Sequence, residues 1–125
     1  VGMAMSDEIK KFIQIVKRYS PNAFINDNNE LIVVPKYNIY FGLKSVSSEM
    51  ELKCKVIEWL SRASYKGISY YWQKRVRSIV NEYLETDFSI DKIEIVYTYL
   101  GNGCNRKLCE QFIESEYDLS LLKAV

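Results

Sequence analysis

LIVVPKYNIYFGLKSVSSEME, residues 31–51, holds the change of pattern on which the fold turns. Ile39, Phe41 and Leu43 alternate with Tyr40 and Gly42, the two-residue period of a strand buried on one face. A few residues on, Ser48-x-x-Glu51 is a capping box, in which serine and glutamate satisfy the free N–H groups that open a helix. Beyond it Leu52, Val56, Trp59 and Leu60 follow helical spacing to about residue 63. The stretch divides a β region from a helical one.

Toward the N-terminus, strands are expected over 23–26, 31–34 and 38–43, with turns at 27–29 and at Pro35–Tyr37. Such short turns leave no room for crossovers, so the strands form an antiparallel meander. Three short strands need a cover. The nearest is a helix over Asp7–Tyr19, capped by Ser6, with Ile9, Phe12, Ile13 and Val16 as its buried stripe. Ser20-Pro21 ends it, because a residue before proline avoids the helical region.

Toward the C-terminus, Ser69 opens a third helix with Trp72, Val76, Ile79, Val80 and Tyr83 on one face. Ser89 opens a fourth, with Ile93, Val96, Tyr97 and Leu100 inward, stopped by Gly101-Asn102-Gly103 as a glycine at C′ should. A fifth runs from about 105 to 114, with Leu108 and Phe112 inward, and a last turn over 118–122 tucks in Leu119 and Leu122. The expected class is α+β: an N-terminal helix, a three-stranded antiparallel β-meander and a C-terminal bundle of four to five helices. The expected core includes Ile13, Val16, Val33, Phe41, Val56, Leu60, Val76, Val80, Val96, Leu100 and Phe112.

A chain of 125 residues without repeat or linker reads as one domain, with residues 1–4 outside the fold and Met3 or Met5 as the start. Apolar residues at 48% and charged residues at 26% argue against disorder. No apolar run is long enough to span a membrane, and no signal peptide is evident. The three thiols, Cys54, Cys104 and Cys109, are an odd number, so a reducing, cytoplasmic setting is expected. A net charge of +1 hides a split of +6 over residues 1–77 and −5 over 78–125. A basic face and an acidic one are expected.

The chain has no histidine, which removes His-based triads and the commonest general base. It has no glycine-rich phosphate loop either. No enzymatic activity, cofactor or metal is therefore expected. Cys104 and Cys109 are too far apart for the usual zinc pair and have no second pair. They read as small hydrophobes, with a nucleophilic Cys104 near a helix start as the weaker reading. Glu82-x-x-Glu85 and Asp91-x-x-Glu94 leave metal-dependent nucleotide hydrolysis as an alternative, against the simpler reading of solvated helix faces.

The richest functional signal is RASYKGISYYWQKRVR, residues 62–77. Arg62, Lys66, Lys74, Arg75 and Arg77 are interleaved with Tyr65, Tyr70, Tyr71 and Trp72, and no acid intervenes. Cations bind phosphates, and aromatics stack on bases or anchor protein interfaces. Partner or nucleic-acid binding is expected at Arg62, Tyr65, Lys66, Tyr70, Tyr71, Lys74, Arg75 and Arg77. Trp72 is assigned to the core. The alternative surface is acidic: Glu110, Glu114, Glu116 and Asp118, suited to imitating nucleic acid.

The segments PKYNIYFGL (35–43), KCKVIEWLSR (53–62), YWQK (71–74), YTYLGNG (97–103) and FIESEYDLSLL (112–122) resemble small accessory proteins of temperate phages and prophages of streptococci, lactococci and enterococci. The resemblance spans most of residues 35–122 and carries no catalytic motif. It implies a phage accessory gene acting in a bacterial host. Its partner would be a host or phage protein complex, with inhibition of a CRISPR nuclease as one instance. RNA or DNA binding through residues 62–77 is the alternative.

Overall fold

The computed structural model describes residues 6–101 and 105–122. Its first helix, α1 (Asp7–Tyr19), begins where Ser6 Oγ accepts from the Ile9 N–H at 3.2 Å. Asp7 and Glu8 sit at the positive end of its dipole, and Lys17 and Arg18 at the negative end. Strands β1 (Phe24–Ile25), β2 (Glu30–Val34) and β3 (Ile39–Gly42) form an antiparallel sheet in the order β1-β2-β3. Helices α2 (Glu49–Glu58), α3 (Tyr70–Leu84), α4 (Ile90–Leu100) and α5 (Arg106–Glu114) follow, with a closing 3-10 turn at Leu119–Leu121. This is the expected α+β architecture. Val1, Gly2, Met3, Met5 and Cys104 lie outside the described residues.

The elements are shorter than expected wherever side chains bend the backbone. Asn26 Oδ1 accepts from the N–H groups of Asn28 and Glu30 at 3.0 and 2.9 Å, so β1 ends before it. Asn38 is left-handed (φ 54°) and closes a 3-10 turn over Pro35–Tyr37, so β3 starts at Ile39. The second helix becomes 3-10 over Trp59–Ser64. There positions three apart share a face, which turns both Leu60 and Ala63 inward.

Phe12 of α1 lies 4.7 Å from Phe41 of β3, and Trp59 meets both rings edge-on at 6.0 and 5.7 Å. That aromatic cluster joins sheet, α1 and α2 into one core. Of the expected core residues only Ile13 is corrected: it is half-buried, and Ile15 is buried instead. The cause is α3, which packs along α1 and rotates the buried arc toward Ile15. Trp72, Tyr97 and Leu108 are likewise half-buried at the margin of the core.

Helix α4 ends at Leu100 with Gly101 as its C-cap, and that glycine is right-handed (φ −72°). Its lack of a side chain serves close approach, since a Cβ there would stand 2.8 Å from the Tyr97 carbonyl oxygen. Asn102 and Gly103 lie outside the described residues.

Candidate macromolecular interface

The 62–77 segment begins in the 3-10 turn and ends inside α3. Ser69 Oγ caps α3 by accepting from Trp72 N–H at 3.3 Å. Gln73 Nε2 reaches back to the carbonyls of Tyr65 and Ile68, both at 3.2 Å. Ile68 is buried, so the loop is pinned at its middle. This leaves Tyr65, Tyr70 and Tyr71 outside, 56%, 60% and 58% exposed.

Two cations stack on these rings. Lys74 Nζ lies 5.0 Å from the Tyr70 centroid, and the Arg75 guanidinium 4.3 Å from that of Tyr71. Arg75 also lies near the Trp72 and Tyr19 rings and donates to the Tyr19 carbonyl at 2.6 Å and to the Tyr71 hydroxyl. It thus ties α3 to the end of α1. Arg77 donates to the Ala63 carbonyl at 3.5 Å. Lys66 and Lys74 are exposed, and Arg62, Arg75 and Arg77 half-buried.

The segment therefore divides. Tyr70, Tyr71, Lys74 and Arg75 stand at the first turns of α3, next to α1. Arg62, Tyr65 and Lys66 stand beside Tyr97 of α4, lining a shallow groove with it. Tyr19, Tyr40 and Tyr97, which complete these two surfaces, were not among the expected site residues. Tyr40 carried a signal, as the outward member of an alternating strand.

Of the acidic set, Glu110 is half-buried on α5, and Glu114, Glu116 and Asp118 are exposed. Asp118 Oδ1 accepts from Ser120 Oγ at 2.7 Å and from Ser120 N–H at 3.0 Å, which holds its carboxyl below the usual carboxylate range. Glu116 and Asp118 share a groove of about 630 Å3 with Glu85, Asp87 and Lys92.

The four carboxylates considered for metal binding are dispersed. Glu82 pairs with Arg18 at 2.6 Å and Glu85 with Lys11 at 3.7 Å, while Asp91 and Glu94 are exposed on α4. Among the described residues no group of three or more His, Cys, Asp or Glu is placed to hold a metal ion.

Cys54 and Cys109 are buried where α2 meets α5. Above them Arg106 bridges Glu51 and Glu58, at 2.5 and 2.6 Å. A hydrogen bond with Cys54, reinforced by burial, raises the Cys109 thiol pKa. No helix among the described residues is long and apolar enough to cross a membrane.

Comparison with known proteins gives no match to a family model, to a curated protein or to a solved structure.

Proposed function

We propose that this chain is a binding protein that docks on a macromolecular complex of the host cell and modulates it, using Tyr70 and Tyr71 as anchors. The observation that carries this reading is their exposure: two adjacent tyrosines, each more than half exposed, with Lys74 and Arg75 stacked on them. Exposed aromatics cost solvation and tend to mark interaction surfaces when grouped. Stacked cations restrain the rings before binding, which lowers the entropy lost on docking. Tyrosine and arginine also dominate the energetics of protein interfaces.

The phage resemblance of residues 35–122 supplies the setting: an accessory protein expressed in a Gram-positive host, with a defence complex such as a CRISPR nuclease as the first target to test. Affinity capture from such a host, with nuclease treatment and mass spectrometry, tests the proposal. The expected result is a nuclease-resistant protein partner that is lost with Tyr70→Ala/Tyr71→Ala. A partner retained by that double variant, or turnover of a metabolite by the purified chain with no partner captured, overturns it.

A further inference from the structure

The arginines differ in what their guanidinium groups face. Arg18 pairs with Glu82, and Arg106 with Glu51 and Glu58. Arg75 and Arg77 donate to backbone carbonyls. Arg62 is the exception: among the described residues no carboxylate or carbonyl accepts its N–H groups, and it lies over the Tyr40 ring, 5.7 Å from the centroid. A guanidinium stacked on a ring keeps its N–H edge free for an anion. Lys66, four residues on, is exposed and likewise faces no carboxylate among the described residues.

These two cations line one groove of about 470 Å3 with Ser61, Ser64, Tyr65 and Tyr97. Among the described residues no carboxylate lines it. Hydroxyls and free cations together suit phosphate oxygens. Tyr65 is seated by Gly67, where any side chain would collide with the tyrosine ring.

Through Arg62 the groove adjoins the outer face of the sheet. Ile39 and Phe41 are buried, so Tyr40 between them points the other way. Phe24, Ile32 and Tyr40 are paired across the three strands and share that outer face. Phe24 is 50% exposed. Gly42, next to Tyr40 on the same face, has open space where a side chain would stand.

We infer that the groove and the adjoining sheet face form a binding track for single-stranded nucleic acid. Arg62 and Lys66 hold backbone phosphates, and unpaired bases stack on Tyr65, Tyr97 and the Phe24–Tyr40 row. A duplex hides the faces of its bases, whereas a single strand offers each of them to an aromatic ring. The inference goes beyond the protein docking proposed above, stands on other side chains and does not depend on it.

Fluorescence polarisation with the purified full chain tests it, using labelled oligothymidylate and oligouridylate of about twelve nucleotides. Duplex DNA and polyglutamate serve as competitors. Saturable binding is expected, with log affinity falling against log salt at a slope of about −1.4 for two phosphates held. Arg62→Ala and Tyr40→Leu should each weaken binding about tenfold or more, while Tyr40→Phe, which keeps the ring, retains it. Lys10→Ala, which removes an exposed cation on α1, should change affinity less than about twofold and so controls for bulk charge. Thermal melts establish that each variant is folded. Absence of saturable binding in about 50 mM salt overturns the inference. So does equal or stronger competition by duplex or polyglutamate, or affinity unchanged in folded Arg62→Ala.

Discussion

The indole Nε1 of Trp59 donates to the carbonyl of Tyr40 at 3.0 Å. One hydrogen bond thus fastens the end of α2 to the edge of the sheet, and the same 3-10 turn carries Arg62 over the Tyr40 ring. Trp59→Phe keeps an aromatic ring but orphans that carbonyl, and should cost about 1–2 kcal/mol by denaturant titration. Trp59→Ala opens a cavity between Phe12 and Phe41 and should cost about 3–5 kcal/mol.

Arg75 and Lys74 are adjacent cations with different work. Arg75→Ala removes the bond to the Tyr19 carbonyl and the stacking around it, and should lower stability by about 1–2 kcal/mol. Lys74→Ala removes an exposed charge and should change stability by less than about 0.5 kcal/mol. Arg75→Lys should not restore the loss, because an ammonium lacks the planar fork that serves both Tyr19 and Tyr71. Thermal melts of the three variants separate these outcomes.

The Tyr83 hydroxyl donates to Glu8 Oε2 at 2.9 Å, linking α3 to the first turn of α1. Burial, then the Glu8 carboxylate, pushes the phenol pKa far above its ordinary value near 10. The folded state therefore favours the neutral phenol. This stability is fully present below about pH 10 and is lost as pH rises toward the raised folded value. Tyr83→Phe should cost about 1 kcal/mol at neutral pH and flatten the decline of stability above pH 10, read by denaturant titration across pH.

Arg106 brackets Cys54 by pairing with Glu51 and Glu58, three residues before it and four after it on α2. Arg106→Ala should loosen α5 and lower stability by about 1–3 kcal/mol. Raising salt to about 1 M should narrow the gap between this variant and the parent, since these carboxylates remain partly open to solvent. In a Cys104→Ser background, thiol reagents should label Cys54 and Cys109 faster in Arg106→Ala than in the parent, because access to both buried thiols requires α5 to lift.

The secondary structure was legible because its signals are local. A serine before each of the first four helices and an asparagine before the fifth cap N–H groups only three residues away, and strand alternation in 39–43 needs no distant partner. The strand ends differ for local reasons, at Asn26 and Asn38, whereas the burial of α1 differs for a non-local one: α3 packs on α1, and Ile15 is buried where Ile13 was expected. The candidate surface was legible as composition, a run of cations and aromatics without acids, but its geometry was not.

The sequence by itself determined that this chain is an α+β domain with its meander between α1 and the helical remainder, because periodicity, caps and turns act over a few residues. Only the tertiary structure decided which members of 62–77 serve the fold and which face outward. Arg75 meets Tyr19 across 56 positions of chain and is drawn inward. Arg62 meets the Tyr40 ring across a sheet edge and finds no carbonyl or carboxylate partner among the described residues. Both begin as the same side chain in the same basic run. They differ because a guanidinium's role depends on which carbonyls, rings and carboxylates the folded chain brings to it, and those partners lie far away in sequence.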